Sequence, residues 1–522
     1  MSAARRCLAL ALLGLLVACG EQPDPAGAGG GAGGEGGGVS SVGGGAGGSG
    51  GSAGAGGSGG GVSSTGGGAG GSGGSGSEGG GSGGGGGSTG CASCRADTPT
   101  ISCNKTSAEL DAADLTGLAP HSDAVRGDLI GCAAEGPVSL SDAQAKVNSG
   151  GVTATNAVDR YRVAYRTTRG NGTGGVSTAR IWLPKGVAGP ANVVLIAHGS
   201  EGLADGCAPT RKEGGSIEDL ALLFASRGWV AIASDYAGLG TGGVQGYLDN
   251  RDTGFSLLDS ARALRNFVGN GATSTTTVAL GHSQGGGAVL AAQALAKSYG
   301  PPLAAVVAFA PQYQTRLNSF GYLKALRNPT GLTISLGVSK PAIYVLRQYA
   351  HQINHVGPSA GGDAFPAAKR ASLVSAAEGQ CVIAAGGVVQ ANATKIGDLF
   401  EDTWRTQLLA CVDGGPACGG AGQTTFDFLT NNLLPGDATG AKVLISQGGL
   451  DNVMPAAEEA SCVNDKLVGD GVSVEVCFDS GAVHSNIIDR GKTHAVKWLD
   501  AVVANATPPT CPASGTLPAC TP

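Results

Sequence analysis

Beyond residue 150 the chain alternates short apolar runs with stretches of helical period. Arg160 to Tyr165 and Thr178 to Leu183 alternate in polarity with a period of two, which predicts strands. Asn192 to Ala197 (NVVLIA) and Val230 to Ala233 are continuous apolar runs, the pattern of strands covered on both faces. Between them, Ser216 to Arg227 (SIEDLALLFASR) sets apolar residues at helical spacing. A helix over Phe255 to Phe267, a strand over Thr276 to Leu280, a helix over Gly286 to Ser298 and a strand over Leu303 to Phe309 continue the series. Strand and helix in turn predict an α/β domain, with a mostly parallel sheet, right-handed crossovers and flanking helices.

The alternation stops between Pro311 and about Pro435, a mainly helical, interrupted stretch that reads as an inserted cap. The sheet pattern resumes with Lys442 to Ser446 (KVLIS), a helix after Pro455, the strand Val472 to Cys477 and an amphipathic helix from Lys492 to Val503. The expected organisation is therefore core 151–311, cap 312–435 and core 436–505. A Cys-containing extension over 91–150 precedes it and a Cys-containing tail over 506–522 follows.

Composition separates the first ninety residues from the rest, since 39 of the 96 glycines fall between Gly27 and Gly90. Residues 19–90 are Gly, Ser and Ala with almost no large apolar side chain, so they bury too little surface to offset the entropy of ordering and read as a tether. Ahead of them, residues 1–18 combine Arg5 and Arg6, an apolar run and small residues before Cys19, the pattern of a secretory signal too short to span a bilayer. The Leu16-Val17-Ala18-Cys19 box resembles bacterial lipoprotein signals. That resemblance implies cleavage before Cys19, lipid attachment to its sulfur and anchoring to the cell envelope, with Gly20 favouring an outer membrane where the cell has one; ordinary secretion is the alternative.

Removing Arg5 and Arg6 from the 33 basic residues, and Glu21, Asp24, Glu35 and Glu78 from the 39 acidic ones, leaves 31 against 35. This balance offers no basic surface for nucleic acid. Of the 14 cysteines, setting aside Cys7 in the signal and Cys19 leaves an even twelve, which fits a disulfide-forming compartment. Cys91-x-x-Cys94 has no second CxxC to complete a zinc site. Cys511 with Cys520 and Cys462 with Cys477 are plausible local pairs, although connectivity stays open on sequence alone.

Candidate chemistry concentrates at Gly281-His282-Ser283-Gln284-Gly285, a G-x-S-x-G pattern whose glycines permit a tight strand-to-helix turn exposing the serine. The same pattern occurs at Gly357 to Gly361 and in the tether at Gly47 to Gly51. Only Ser283 lies between a β-branched run and a strong helix. A nucleophilic serine needs a base, and a carboxylate to hold that base in the right tautomer.

Among seven histidines, His121 precedes the sheet, His282 sits within the elbow pointing elsewhere, and His494 lies in the last helix. His351 and His355 have the i, i+4 spacing of a zinc helix, but Gln352 stands where such a site needs glutamate, so no metal is expected. His198 opens His198-Gly199-Ser200-Glu201-Gly202, placed for an oxyanion loop. His484 lies in the polar loop past the strand Val472 to Cys477, where a base belongs. Asp451 lies in the turn beyond KVLIS, so Ser283, Asp451 and His484 follow in hydrolase order.

At these residues the chain resembles the α/β-hydrolases, and more narrowly the secretory lipases. The narrower likeness rests on Cys207-Ala208-Pro209, Ser234-Asp235-Tyr236-Ala237-Gly238-Leu239-Gly240, Tyr247-Leu248 and Leu258-Asp259-Ser260-Ala261-Arg262-Ala263. It implies hydrolysis of small-molecule or lipid esters without a cofactor, with a helical cap shaping the acyl pocket. His484 would deprotonate Ser283, Asp451 would stabilise the imidazolium, and the backbone N–H of Gln284 with one from the Gly199-Ser200 loop would bind the oxyanion. A serine peptidase of the same fold and a non-catalytic, surface-anchored binding module are the alternative readings.

Overall fold

The structure is a computed structural model, and it describes residues 95–111, 123–148, 151–269, 271–330, 339–512 and 514–521. The expected signal, Cys19, the tether, Cys91 and Cys94 lie outside the described residues.

In chain order the first elements are α1 (Ser107–Asp111), β1 (Leu129–Val138), α2 (Leu140–Val147), β2 (Val158–Thr168), β3 (Gly174–Pro184) and β4 (Ala191–Ala197). Next come α3 (Ser216–Ala225), β5 (Val230–Ser234), α4 (Asn250–Val268), β6 (Thr273–His282), α5 (Gln284–Tyr299) and β7 (Ala305–Phe309). Between β7 and β8 (Lys442–Gly448) lie α6 (Tyr322–Arg327), α7 (Ser339–His351), α8 (Arg370–Gly379), α9 (Val382–Asn392), α10 (Asp402–Asp413) and α11 (Gly420–Asn431). The chain closes with α12 (Ala460–Gly469), β9 (Val474–Asp479) and α13 (Ile487–Val503).

All nine strands form one sheet in the order β1-β2-β3-β5-β4-β6-β7-β8-β9. The first three strands and the β3–β5 junction are antiparallel, and every pair from β5 to β9 is parallel. One face packs on α4, α5 and α12 through Leu258, Leu264, Leu290 and Leu467. The other packs on α2, α3 and α13 through Val147, Leu222, Phe224 and Trp498. Two covered faces explain why β4 and β5 read as unbroken apolar runs. β3 departs from the half-buried alternation expected of it: all but its first residue are buried, because Ile181 and Leu183 pack into the core on one face of the sheet and Trp182 into the core on the other.

Five disulfides join described cysteines: Cys103–Cys132, Cys207–Cys381, Cys411–Cys418, Cys462–Cys520 and Cys477–Cys511. Such bridges persist in oxidising compartments. The pairs Cys511–Cys520 and Cys462–Cys477 expected from local spacing are not formed. The tail runs first beside β9, where Ser514 N–H donates to Phe478 O at 3.1 Å, and then over the start of α12, where Ser461 Oγ donates to Pro518 O at 2.7 Å. Each tail cysteine therefore meets the element it crosses. No described helix is long and apolar enough to cross a membrane.

The helices between β7 and β8 carry their own core, including Leu326, Leu346, Phe365, Leu373 and Leu408, which also takes in Leu203, Tyr247, Leu248 and Met454 from sheet loops. Cys207–Cys381 bonds this unit covalently to the loop after β4. At its edge Glu459 accepts the backbone N–H of Phe320 at 2.9 Å. Burial raises the Glu459 pKa to about 8, against the lowering pull of Arg316.

The folded protein thus keeps a proton that the unfolded chain releases above its ordinary value of 4.5. This stability is fully present below that value and is lost as pH rises through about 8, with a slope of at most about 1.4 kcal/mol per pH unit. Glu459→Gln keeps an acceptor for Phe320 and has no proton to lose. Melting curves between pH 5 and 8 should show a smaller fall in Tm for the variant than for the parent; parallel falls would remove Glu459 as the cause.

Candidate active site

The parallel registers bring the carboxyl ends of five strands level. Ala197 of β4 lies opposite Gly281 of β6, His282 opposite Phe309 of β7, Phe309 opposite Ser446 of β8, and Gly448 opposite Asp479 of β9. Gly199, Ser283, Asp451 and His484 all follow such ends, so one rim of the sheet collects residues far apart in sequence. Ligand and catalytic sites of open α/β sheets form at this rim.

Ser283 stands between the last residue of β6 and the first of α5 with φ 56° and ψ −117°, a conformation that costs a non-glycine residue about 1–3 kcal/mol. Three backbone hydrogen bonds hold it there. Ser283 N–H donates to Phe309 O at 2.9 Å, and Ser283 O accepts the N–H groups of Gln312 at 2.9 Å and Gly287 at 3.1 Å. Gly281 and Gly285 are required by close approach: a Cβ on Gly285 would overlap the carbonyl of Ala197, and one on Gly281 that of Gly285.

Asp451 is buried and fully engaged. Its Oδ1 accepts the N–H groups of Val453 at 2.9 Å and Met454 at 2.7 Å, and its Oδ2 lies 2.7 Å from His484 Nδ1. That contact puts the proton on Nδ1 of a neutral His484 and leaves Nε2 as the basic nitrogen. No hydrogen bond joins Ser283 to His484 among the described residues; such bonds are often long in unliganded sites and tighten with substrate.

His282 is a participant that sequence reasoning missed. Rather than pointing away, it packs against His484 with ring centroids 4.6 Å apart, and its Nε2 donates to His484 O at 2.9 Å. Burial, with the nearby His484, lowers its pKa to about 3, so it is neutral and its Nε2–H meets the carbonyl. The elbow thereby fixes the backbone of His484. The pattern x in G-x-S-x-G carries no hint of this, because the partner is 202 positions away.

The other predicted residues gather at the same rim. A Cβ on Gly199 would sit 3.6 Å from that of Ser283, and Ser200 Oγ lies 2.7 Å from Tyr247 OH. Gln284 opens α5, and a first helical residue has no intrahelical partner for its N–H. His198 is buried, with Nδ1 2.6 Å from Gly199 O and Nε2 3.2 Å from Asp235 O, which shapes the loop.

Other motifs are scaffolding. Asp235 accepts Thr178 Oγ1 at 2.6 Å and Thr210 N–H at 3.1 Å, and Asp259 accepts Thr167 Oγ1 at 2.8 Å and Tyr299 OH at 2.6 Å. His355 Nε2 lies 2.8 Å from Asp249 Oδ2, in a cavity of about 370 Å³ that Ser283 does not line. Among the described residues one cluster of three metal-type ligands occurs, Cys477, His494 and Cys511, and two of its members form a disulfide.

The sheet order, the strained serine turn and the helices inserted before β8 define an α/β-hydrolase fold. Solved structures agree at the level of fold. Candida antarctica lipase A superposes with a TM-score of 0.55 at 15% identity, covering 78% of this chain and 89% of that one. A mutant of the rice cell wall degrading esterase LipA from Xanthomonas oryzae gives 0.54 at 17% identity, covering 73% and 100%. A protein of Legionella pneumophila gives 0.55 at 16%, covering 72% and 98%. Residues 217–318, from α3 through the nucleophile turn and past β7, match the model of the secretory lipase family. No curated protein matches the chain.

Proposed function

We propose that the protein is a serine hydrolase that cleaves carboxylic esters through Ser283, His484 and Asp451. The observation that carries this reading is the Asp451–His484 contact at 2.7 Å, held against the strained serine turn by His282. His484 Nε2 takes the proton of Ser283 as Oγ attacks the ester carbonyl, and Asp451 stabilises the resulting imidazolium. The backbone N–H of Gln284 and one from Gly199-Ser200 receive the oxyanion, each donor contributing on the order of 3 kcal/mol. The imidazolium returns its proton to the departing alcohol, and water then repeats the sequence on the acyl-enzyme.

The secretory lipase match and the names of the structural neighbours, a lipase and an esterase, support esters over peptides. The N-terminal pattern and the disulfides support export, with lipid on Cys19 and residues 19–90 holding the domain off the envelope surface. A panel of 4-nitrophenyl esters of graded chain length, run beside peptide anilides, tests the reaction class. Turnover of esters with anilides at least about a hundredfold slower is expected, whereas faster anilide cleavage would make the protein a peptidase.

A further inference from the structure

Among the helices between β7 and β8 and the loop that leads into them, several buried polar side chains lack partners. Arg347 on α7 is 3% exposed and forms no ion pair among the described residues, with the carboxyl groups of Asp249 and Glu459 acting on its charge only from farther off. Its Nη2 donates to Gln314 Oε1, while Nε and Nη1 have no partner. The rings of Tyr322 and Phe428 stand 5.5 and 5.7 Å from the guanidinium carbon. One turn along α7, His351 is equally buried, stacks on Phe428 at 4.4 Å and has both ring nitrogens unpartnered. Burial holds its pKa well below the ordinary range, so the ring is neutral and can both donate and accept.

These groups connect to the serine turn. Gln312 donates its N–H to Ser283 O at 2.9 Å, its own side-chain amide is buried and unpartnered, and Gln314, two residues on, holds Arg347. Phe428 also lines the neighbouring cavity of about 370 Å³, whose charged lining is mixed: Arg251 with Asp249 and Asp427.

Folded proteins pair nearly all their buried polar atoms, and a pocket built for a hydrocarbon chain is lined by apolar side chains. A buried guanidinium with no carboxylate in hydrogen-bond reach keeps free N–H groups in a planar fork that matches a carboxylate. We propose that Arg347, oriented by Gln314 and assisted by His351, is a carboxylate-binding subsite, so that the preferred ester carries a free carboxylate besides the bond that is cut. This rests on the reading of Ser283 as nucleophile. The second carboxylate can belong to the acyl part or to the alcohol.

Two pairs of substrates matched in carbon-chain length separate these sources. Mono-4-nitrophenyl glutarate is compared with 4-nitrophenyl pentanoate, and 4-acetoxybutanoate with butyl acetate. The parent enzyme should favour the anionic member of at least one pair by about tenfold or more in kcat/KM, and Arg347→Met should bring that ratio to about one, with Arg347→Lys between. Circular dichroism checks that the variants fold; should neither fold, the parent's ratios still decide.

Independently of turnover, glutarate and not 1,5-pentanediol should raise the Tm of Ser283→Ala. Ratios near or below one in both pairs, a preference that survives Arg347→Met, or no glutarate effect on Tm would each overturn the subsite. If no ester is hydrolysed at all, the reading of Ser283 fails, and the Tm measurement alone then judges Arg347.

Discussion

Replacing Ser283 with alanine should lower kcat for 4-nitrophenyl esters by about 10⁶-fold while leaving the fold intact. Alanine keeps the Cβ and loses only Oγ, so the three backbone hydrogen bonds at residue 283 persist. What disappears is the atom proposed to form the acyl-enzyme, leaving only the rate assistance of oxyanion donors and binding. Ser283→Gly separates chemistry from stability. It should be as inactive as the alanine variant, yet at least as stable, because glycine adopts φ 56° without the cost that a side chain incurs there. A calorimetric Tm at or above that of the parent, with activity gone, is the expected pair of results; a lower Tm would show that the turn is not strained.

Asp451→Asn should reduce kcat by about 10⁴-fold with little change in Tm. The asparagine oxygen can still accept the N–H groups of Val453 and Met454, so its NH₂ faces His484 Nδ1. Nδ1 must then accept, the ring proton moves to Nε2, and the nitrogen that should take the serine proton becomes a donor. The loss is electronic rather than structural. Crystallographic or NMR observation of an unmoved His484 ring together with the loss of activity distinguishes this from collapse of the loop, and near-parent activity in the variant would remove Asp451 from the mechanism.

Much of this architecture can be read from the chain because two-sided burial writes itself into apolar runs. β4, β5 and β7 are such runs, and each strand lies within a few residues of its expected position. β1 escapes that reading: LIGCAAEGPV has small residues, a glycine and a proline, and no alternation, and it is recruited to the edge by β2 and by Cys103–Cys132. α4 begins at Asn250 rather than Phe255. Asp249 supplies the reason, accepting the N–H groups of Arg251 at 2.9 Å and Asp252 at 3.2 Å as an N-cap. The start of α13 at Ile487 follows from the burial of Ile487 and Ile488.

For the candidate site, the signals that sequence carries are those with a local grammar. Ser283 has its glycines, Asp451 and His484 have preceding strands, and each sits at the rim that strand order assigns it. His282 and Arg347 have no such grammar. The role of His282 depends on a carbonyl brought by a loop 202 positions on, and Arg347 differs from other helical arginines only because the packing of the helices between β7 and β8 leaves two of its nitrogens without a hydrogen-bond partner.

The central claim is that Ser283 is the nucleophile activated by His484 on the rim of this sheet. Peptide mass spectrometry after treatment with a fluorophosphonate tests it most directly. One adduct on the peptide containing Ser283, abolished by heat denaturation and strongly slowed in His484→Ala, is the predicted result. An ester-cleaving preparation whose adduct maps to another residue, or which takes up none, would contradict it.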